Sequence, residues 1–323
     1  MLQDTHNRSI GYLRLSLTTA CQMRCLYCRP ATWANPHNEN RLTPSEIEAL
    51  VRHLAQRHGL RKVRLTGGDP TSRPDLTQII KRIAAIPGID DLAMTTNGLT
   101  LAQRATEYAD AGLKRVNVSL DTLDPARFAA LTGVDALDRV LAGIDAAQAA
   151  GLWPIKLNTV VVRSQNESAL PELVRFAAAR GLEVRFIELM PMGPLADQWA
   201  QRYVPEHRMR QMLEPHLNHW EALAQGHDAA RRYRVRLHDG REAVIGFITP
   251  MSCNFCAACN RIRVAADGTL YPCLMDRPQG TLLPAFRPRF DADRLDELLR
   301  DGLAGKRREH PHNGFVTMTA IGG

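Results

Sequence analysis

Cys21, Cys25 and Cys28 form a C-x3-C-x2-C triplet. Three thiolates brought together hold three irons of a cubic iron–sulfur cluster and leave the fourth iron open to another ligand. The spacing differs from the ferredoxin run, in which a fourth Cys completes the cluster. The rival reading is zinc, whose structural sites usually show four ligands in two CxxC-like pairs. A second group raises the same question: Cys256-x2-Cys259, with Cys273 further on. It suits a second cluster with an open iron, or a three-Cys zinc site completed from elsewhere, with Cys253 close enough to contribute. Arg261 and Arg263 stand between these cysteines on one strand-like stretch, suited to an anionic ligand or to a solvated edge.

Composition narrows the setting. The seven Cys fall in these two tight groups, with none between Cys28 and Cys253. That distribution reads as two metal sites rather than a disulfide framework. The first residues lack an apolar signal core and no run approaches a membrane span. A reducing, cytoplasmic setting is the expectation, with no membrane partner. The chain has 323 residues, 45% of them hydrophobic, and a net charge of +7. A substantial core is expected, and the charge suits an anionic small substrate as well as nucleic acid. Lys and Arg are spread along the chain and aromatics are only 6% of residues, so nucleic acid is not the expected partner.

Other residues could bind ligands. Gly67-Gly68-Asp69-Pro70 follows a strand-like run, where glycines permit close backbone approach to a ligand; an ordinary turn is the plain alternative. Thr95-Thr96-Asn97-Gly98 and Asn117-Val118-Ser119-Leu120-Asp121 place hydroxyl and amide groups at strand ends, suited to ribose or carboxylate. Asp121 serves equally well as a helix N-cap. Lys62, Arg64, Lys156 and Arg185 recur at strand positions. Single strand lysines are usually solvated, but four such cations facing one lumen would grip phosphates.

These groups must be positioned by the elements around them. Tyr12–Leu17 reads as a strand. Thr43-Pro44-Ser45-Glu46 reads as a helix start, and Gly59 as its stop. Strands are expected at 62–66, 91–96, 115–120, 154–162 and 183–188, with helices at 75–85, 102–111, 137–150 and 168–180. About six strand–helix units imply an open, partial barrel with its functional residues where strands end. Residues 195–225 read as mostly helical, and 233–237 and 243–247 as strands. The expected division is a barrel over 1–225 and a C-terminal region over 226–323.

Taken together, the motifs resemble the GTP 3′,8-cyclases, the MoaA-type radical S-adenosylmethionine (SAM) enzymes that begin molybdenum-cofactor biosynthesis. The resemblance rests on Arg14-Leu15-Ser16 before the first triplet, Lys62 to Pro70, Thr95 to Gly98, Arg115 to Leu123, Arg185 to Gly193, Cys256 to Arg263, Cys273 and the terminal Gly322-Gly323. It departs at Thr18-Thr19-Ala20, at Asp69 where Glu is commoner, and at the extra Cys253. The resemblance implies a partial (β/α)6 barrel with a C-terminal extension, and two 4Fe-4S clusters. Cys21, Cys25 and Cys28 would hold the SAM cluster; Cys256, Cys259 and Cys273 would hold the auxiliary one. Arg14, Tyr27, Gly67, Gly68, Thr95 and Ser119 would contact SAM. Lys62, Arg64, Lys156, Arg185, Arg261 and Arg263 would bind GTP, and Arg261, Arg263, Gly322 and Gly323 would serve catalysis. It also implies a flavodoxin or ferredoxin as electron donor and product handover to cyclic pyranopterin monophosphate synthase, and it allows a homodimer.

Overall fold

The computed structural model describes residues 1–30, 40–226 and 228–311; Gly322 and Gly323 lie outside them. Strand β1 (Tyr12–Ser16) opens the fold. Helix α1 (Pro44–His58) starts at the expected cap: Thr43 Oγ1 accepts from Glu46 N at 3.2 Å, and Glu46 returns the bond to Thr43 N at 2.7 Å. Gly59 closes it with φ 71°, the left-handed conformation glycine adopts without strain. Strand–helix alternation continues through β2 (Lys62–Thr66), α2 (Leu76–Ala84), β3 (Asp91–Thr96), α3 (Leu101–Asp110) and β4 (Arg115–Ser119). Helix α4 (Pro125–Thr132) then intervenes, unforeseen from the sequence, before α5 (Leu137–Ala149), β5 (Lys156–Val161), α6 (Leu170–Arg180) and β6 (Glu183–Glu188).

The stretch expected to be helical ends differently. Helices α7 (Trp199–Arg202) and α8 (Glu206–Leu213) are short, and Leu217–Ala222 is strand β7. Trp220 explains the change: its ring packs on Tyr233 and Phe247, on the two strands that follow. Cross-strand aromatic packing outweighs the weak helical preference of this segment. Strands β8 (Ala230–Leu237), β9 (Glu242–Ile248), β10 (Arg261–Val264) and β11 (Leu270–Tyr271) and helix α9 (Ala292–Ala304) complete the chain.

Among the described residues, eleven strands join one sheet, in the order β11-β10-β1-β2-β3-β4-β5-β6-β9-β8-β7. Strands β1 to β6 run parallel in chain order, and β10 and β9 add in parallel at either end of that block. The sheet is curled. Six strand steps separate β2 from β8, which on a flat sheet is roughly 29 Å. Yet Lys62 Nζ on β2 lies 3.9 Å from Asp228 Oδ1, just before β8. The alternation of each strand explains the layers. Leu13 and Leu15 of β1 and Val63 and Leu65 of β2 are fully buried in the hydrophobic core, while Tyr12, Arg14, Lys62 and Arg64 face the lumen with the other alternating set. No helix among the described residues is long and apolar enough to cross a membrane.

Helix α9 is clasped to α1. Asp296 is the hub: its carboxylate meets His53 Nε2 at 2.6 Å, His58 Nε2 at 2.7 Å and Arg57 Nε at 2.6 Å. Burial alone would raise the Asp296 carboxyl, but the bonds from His53 and His58 outweigh it and hold it below its ordinary value. Asp296→Ala leaves buried histidine donors unsatisfied and should cost on the order of 1–3 kcal/mol, read by denaturant unfolding. A group with a lowered native pKa stabilises above its unfolded value, about 3.9 for Asp. This contribution should therefore be complete at neutral pH and disappear in acid, as pH falls through the lowered native value; a mutant-to-wild-type difference that persists in strong acid would refute the clasp.

Candidate functional site

The first triplet sits just beyond the C-terminal end of β1. Its loop is held from two sides. Arg24 N and Leu26 N donate to the carbonyls of Thr132 and Leu131, so the end of α4 braces it. On the other side Gly68 N and Asp69 N donate to the carbonyls of Thr18 and Ala20, both at 2.7 Å. Gly68 is needed for this approach: a Cβ there would collide with the backbone oxygens of Ala20 and Thr19 and with the Arg29 guanidinium. The pair of glycines flagged in the sequence is thus fixed by contact with the cysteine loop itself.

Three sequence readings are sharpened here. Asp69 does not reach the lumen. Its buried carboxylate accepts from Thr71 N at 2.9 Å, Thr96 Oγ1 at 2.9 Å and Asn97 N at 2.6 Å, tying the ends of β2 and β3. Asp121 is not an N-cap; Asp124 caps α4 instead. Asp121 accepts from Tyr27 Oη at 2.7 Å and from Val160 N at 2.9 Å, and burial pushes its carboxyl up to about 6. Tyr27 is thereby bolted across the top of the sheet. Asn97, quoted only as part of a motif, reaches Gln22 Oε1 at 2.9 Å and Cys21 Sγ at 3.7 Å.

The lumen carries the basic residues in register. On the parallel ladders Tyr12 pairs with Lys62 and with Arg261, and Arg14 pairs with Arg64 and with Arg263. Lys156 aligns with Asn117 and Glu183, and Arg185 with Asn158 and Gly246. Because neighbours in register share a face, the cations foreseen on separate strands line one cavity. Acidic residues the sequence reading missed lie among them. Lys62 meets Asp91 at 3.3 Å, Lys156 meets Glu183 at 3.7 Å, and Arg185 meets Glu183 at 2.5 Å and Asp228 at 3.3 Å. Arg115, also missed, forms a two-point bond with Asp91. A sign of these partners was present: Asp91 and Glu183 open β3 and β6 at inward positions.

Charge crowding has consequences for titration. Burial lowers Arg64 to about 10 and Lys156 to about 8, each with a neighbouring arginine adding to the fall. Burial and Arg14 lower Arg263 to about 9. Tyr12 is raised by burial, but Arg64, Arg14, Lys62 and Arg261 outweigh that and bring its phenol down to about 7. Lys62 and Arg261 lie against its ring, at 4.9 and 5.6 Å from the centroid. For Asp228 burial is overcome by Arg185, Lys156 and Lys62, which hold it well below the carboxylate range.

Several buried polar atoms here lack a protein partner: Arg64 Nε and Nη1, Arg115 Nη1, Thr95 Oγ1, Asn117 Oδ1 and Asn158 Oδ1. Such atoms are rare in folded proteins because an unmet bond is costly. Their concentration in one lumen fits a polar, anionic ligand. Ser119 stands on the same row as Asn158.

The second triplet lies at the opposite end. Cys259 lies two residues before Arg261, which opens β10 and aligns with the first residue of β1. Cys21 comes after the last. The five residues of β1 span about 16 Å between these ends. Arg8 Nη1 donates to the Cys256 carbonyl at 2.8 Å, and Lys306 Nζ lies 3.8 Å from Cys259 Sγ. Burial raises the Cys21, Cys25 and Cys28 thiols, Cys28 to about 11. Cys259 differs: burial is outweighed by Lys306 and Arg261 and its thiol is lowered. Cys253 is exposed.

The donor set tests the metal. Each end of the lumen offers three cysteines, Cys21, Cys25 and Cys28 at one and Cys256, Cys259 and Cys273 at the other. Three thiolates suit a cubic cluster that keeps one iron open to another ligand, whereas structural zinc takes four ligands.

A profile of the Radical SAM superfamily matches residues 15–177, and one described as Molybdenum Cofactor Synthesis C matches residues 182–312. The chain is 42% identical to the GTP 3′,8-cyclase of Pelotomaculum thermopropionicum over the full length of both. It is 45% identical to GTP 3′,8-cyclase 1 of Pseudomonas aeruginosa over 84% of this chain and 82% of that one. Among solved structures, SuiB of Streptococcus suis bound to S-adenosylmethionine superposes with a TM-score of 0.60 at 18% identity, over 93% of this chain. This chain spans 66% of SuiB, and that likeness concerns the fold alone.

Gly68→Ala forces its Cβ into the 18–20 backbone and the Arg29 side chain. It should displace the first cysteine loop, lower iron uptake by that triplet and cost on the order of 1–3 kcal/mol. Iron analysis after anaerobic reconstitution, beside a melting curve, checks this; unchanged iron would show that the loop tolerates the shift.

Proposed function

This chain belongs to the GTP 3′,8-cyclase family of radical SAM enzymes, and we propose from that premise that it converts GTP into 3′,8-cyclo-7,8-dihydro-GTP, the first step of molybdenum-cofactor biosynthesis. The observation that carries the reading is the pair of cysteine triplets at opposite ends of one lumen, with aligned cations between them. Cys21, Cys25 and Cys28 would hold the 4Fe-4S cluster that binds SAM, and Cys256, Cys259 and Cys273 would hold the auxiliary one. When bound and reduced, the first cluster with SAM would supply the radical chemistry that removes the 3′ hydrogen of GTP. A flavodoxin or ferredoxin is the proposed electron donor, and the product passes to cyclic pyranopterin monophosphate synthase.

The residues of this chain prepare that chemistry. Gly67 and Gly68 leave their backbone close to the SAM end, where Thr95 and Ser119 offer hydroxyls. Tyr27, tied to Asp121, fixes the last turn of the cluster loop. Arg14, Lys62, Arg64, Lys156 and Arg185 supply the charge for a triphosphate, and Arg261 and Arg263 present cations beside the second triplet. The cations stand on paired strands whose register fixes their rows, so they can orient the nucleotide without moving the sheet. Triphosphate entry exchanges one set of anions for another: it displaces Asp228 from Lys62 and Arg185. Gly322 and Gly323 are assigned to catalysis on family resemblance.

Anaerobic incubation with SAM, dithionite and GTP should yield 5′-deoxyadenosine together with a cyclised nucleotide. Cys256→Ala should keep about half the iron of the wild type, still cleave SAM and fail to cyclise GTP. A tightly bound zinc at either triplet would overturn the reading. Asp228→Asn removes the anion that competes with the triphosphate. Since partly exposed ion pairs are worth up to about 1 kcal/mol, GTP should bind roughly two- to fivefold tighter, measured by equilibrium dialysis. Weaker binding would mean that Asp228 helps to hold the nucleotide.

A further inference from the structure

Lys306 is buried, 3% exposed, one residue beyond the C-cap Gly305 of α9. Its ammonium donates to the Pro272 carbonyl at 2.5 Å and the Arg261 carbonyl at 2.8 Å. Its third contact is Cys259 Sγ at 3.8 Å. The two carbonyls flank the cysteine ligands: Pro272 precedes Cys273, and Arg261 lies two residues after Cys259. The lysine therefore sits where the two ligand-bearing segments meet.

Its placement is imposed from a distance. Leu295, Leu299 and Leu303 of α9 are in the hydrophobic core, and Asp296 clasps α1. These contacts fix where α9 ends and so where the side chain of residue 306 points. A buried ammonium is costly unless it meets a compensating charge. Two of its hydrogen-bond partners are neutral carbonyls and the third is the Cys259 sulfur.

We infer that Lys306 is a positioning residue for the second cluster: its ammonium holds the Cys259 and Cys273 segments together and stabilises the cluster's reduced, more negative state. The inference rests on the reading that Cys256, Cys259 and Cys273 carry an iron–sulfur cluster. Net charge and hydrogen bonds to the sulfurs are among the factors that set the potential of such clusters. A fixed cation beside one thiolate raises it, because reduction adds negative charge there. Two carbonyls alone would be served equally by a neutral amide donor, so charge and hydrogen bonding can be separated by mutation.

The test uses the full chain carrying Cys21→Ala, Cys25→Ala and Cys28→Ala, so that only the second cluster is loaded. Lys306, Lys306→Gln and Lys306→Arg forms are reconstituted anaerobically. Iron content, the potential from an EPR-monitored redox titration and the rate of iron release to a chelator are recorded. The glutamine form should show a more negative potential and several-fold faster iron release, with both restored by arginine. Cluster loss in the glutamine form with retention in the arginine form supports the inference equally. An unchanged potential in the glutamine form overturns it. So does failure of both variants alike, because the lysine would then act only through its shape. If the Lys306 form itself takes up no iron, the cluster reading fails instead, and that outcome is distinct from the others.

Discussion

The parallel pairing of β10 with β1 is the constraint on which the rest of this structure depends. The two strands come from opposite ends of the chain. Their register sets Arg261 beside Tyr12 and Arg263 beside Arg14, while β2 brings Lys62 and Arg64 to the same rows. Parallel direction has a further consequence. Cys21 follows β1, so it emerges at the C-terminal end of the ladder; Cys259 precedes β10, so it lies at the N-terminal end. An antiparallel pairing would have put both triplets at the same end. The lumen then has a cysteine triplet at each mouth and a polar wall between.

That wall is electrostatically demanding. Many cations converge on one cavity, and burial and mutual repulsion lower Arg64, Lys156 and Arg263 together. Asp91, Glu183 and Asp228 offset part of this charge. Asp228 is set apart from the other two by its position before β8, outside the strands, where it bridges Lys62 and Arg185. A cavity whose cations are partly met by its own carboxylates leaves less buried charge uncompensated. The clasp of α9 on α1 works at longer range, fixing the position at which a buried lysine meets the second triplet.

Much of this was legible in the chain. The six βα units, the Thr43 capping box and the Gly59 stop depend on contacts within a few residues, and local signals carry them. The cysteine spacings gave the ligand chemistry, and the basic residues of β2, β5 and β6 were visible as cations at strand positions. What was not legible involves partners distant in the chain. Asp121 looked like a cap because Asp commonly is one; only the fold brings Tyr27 to it. Strand β7 was read as helix because its reason for being a strand is the ring packing of Trp220 on Tyr233 and Phe247. Helix α4 was missed for lack of a long apolar period, yet its last carbonyls brace the first cysteine loop.

The sequence by itself determined the chemistry available: two sets of three thiolates, a family of strand-borne cations, and glycines where backbone must approach backbone. Residue type and short spacing are enough for that, since ligand identity and local backbone freedom are local properties. Only the tertiary structure decided where these groups face one another. Register across β10, β1 and β2, and the curl that carries Asp228 to Lys62, depend on pairings between segments far apart in the chain. A side chain's charge can be read from its letter, but its neighbours are fixed by how the whole sheet closes.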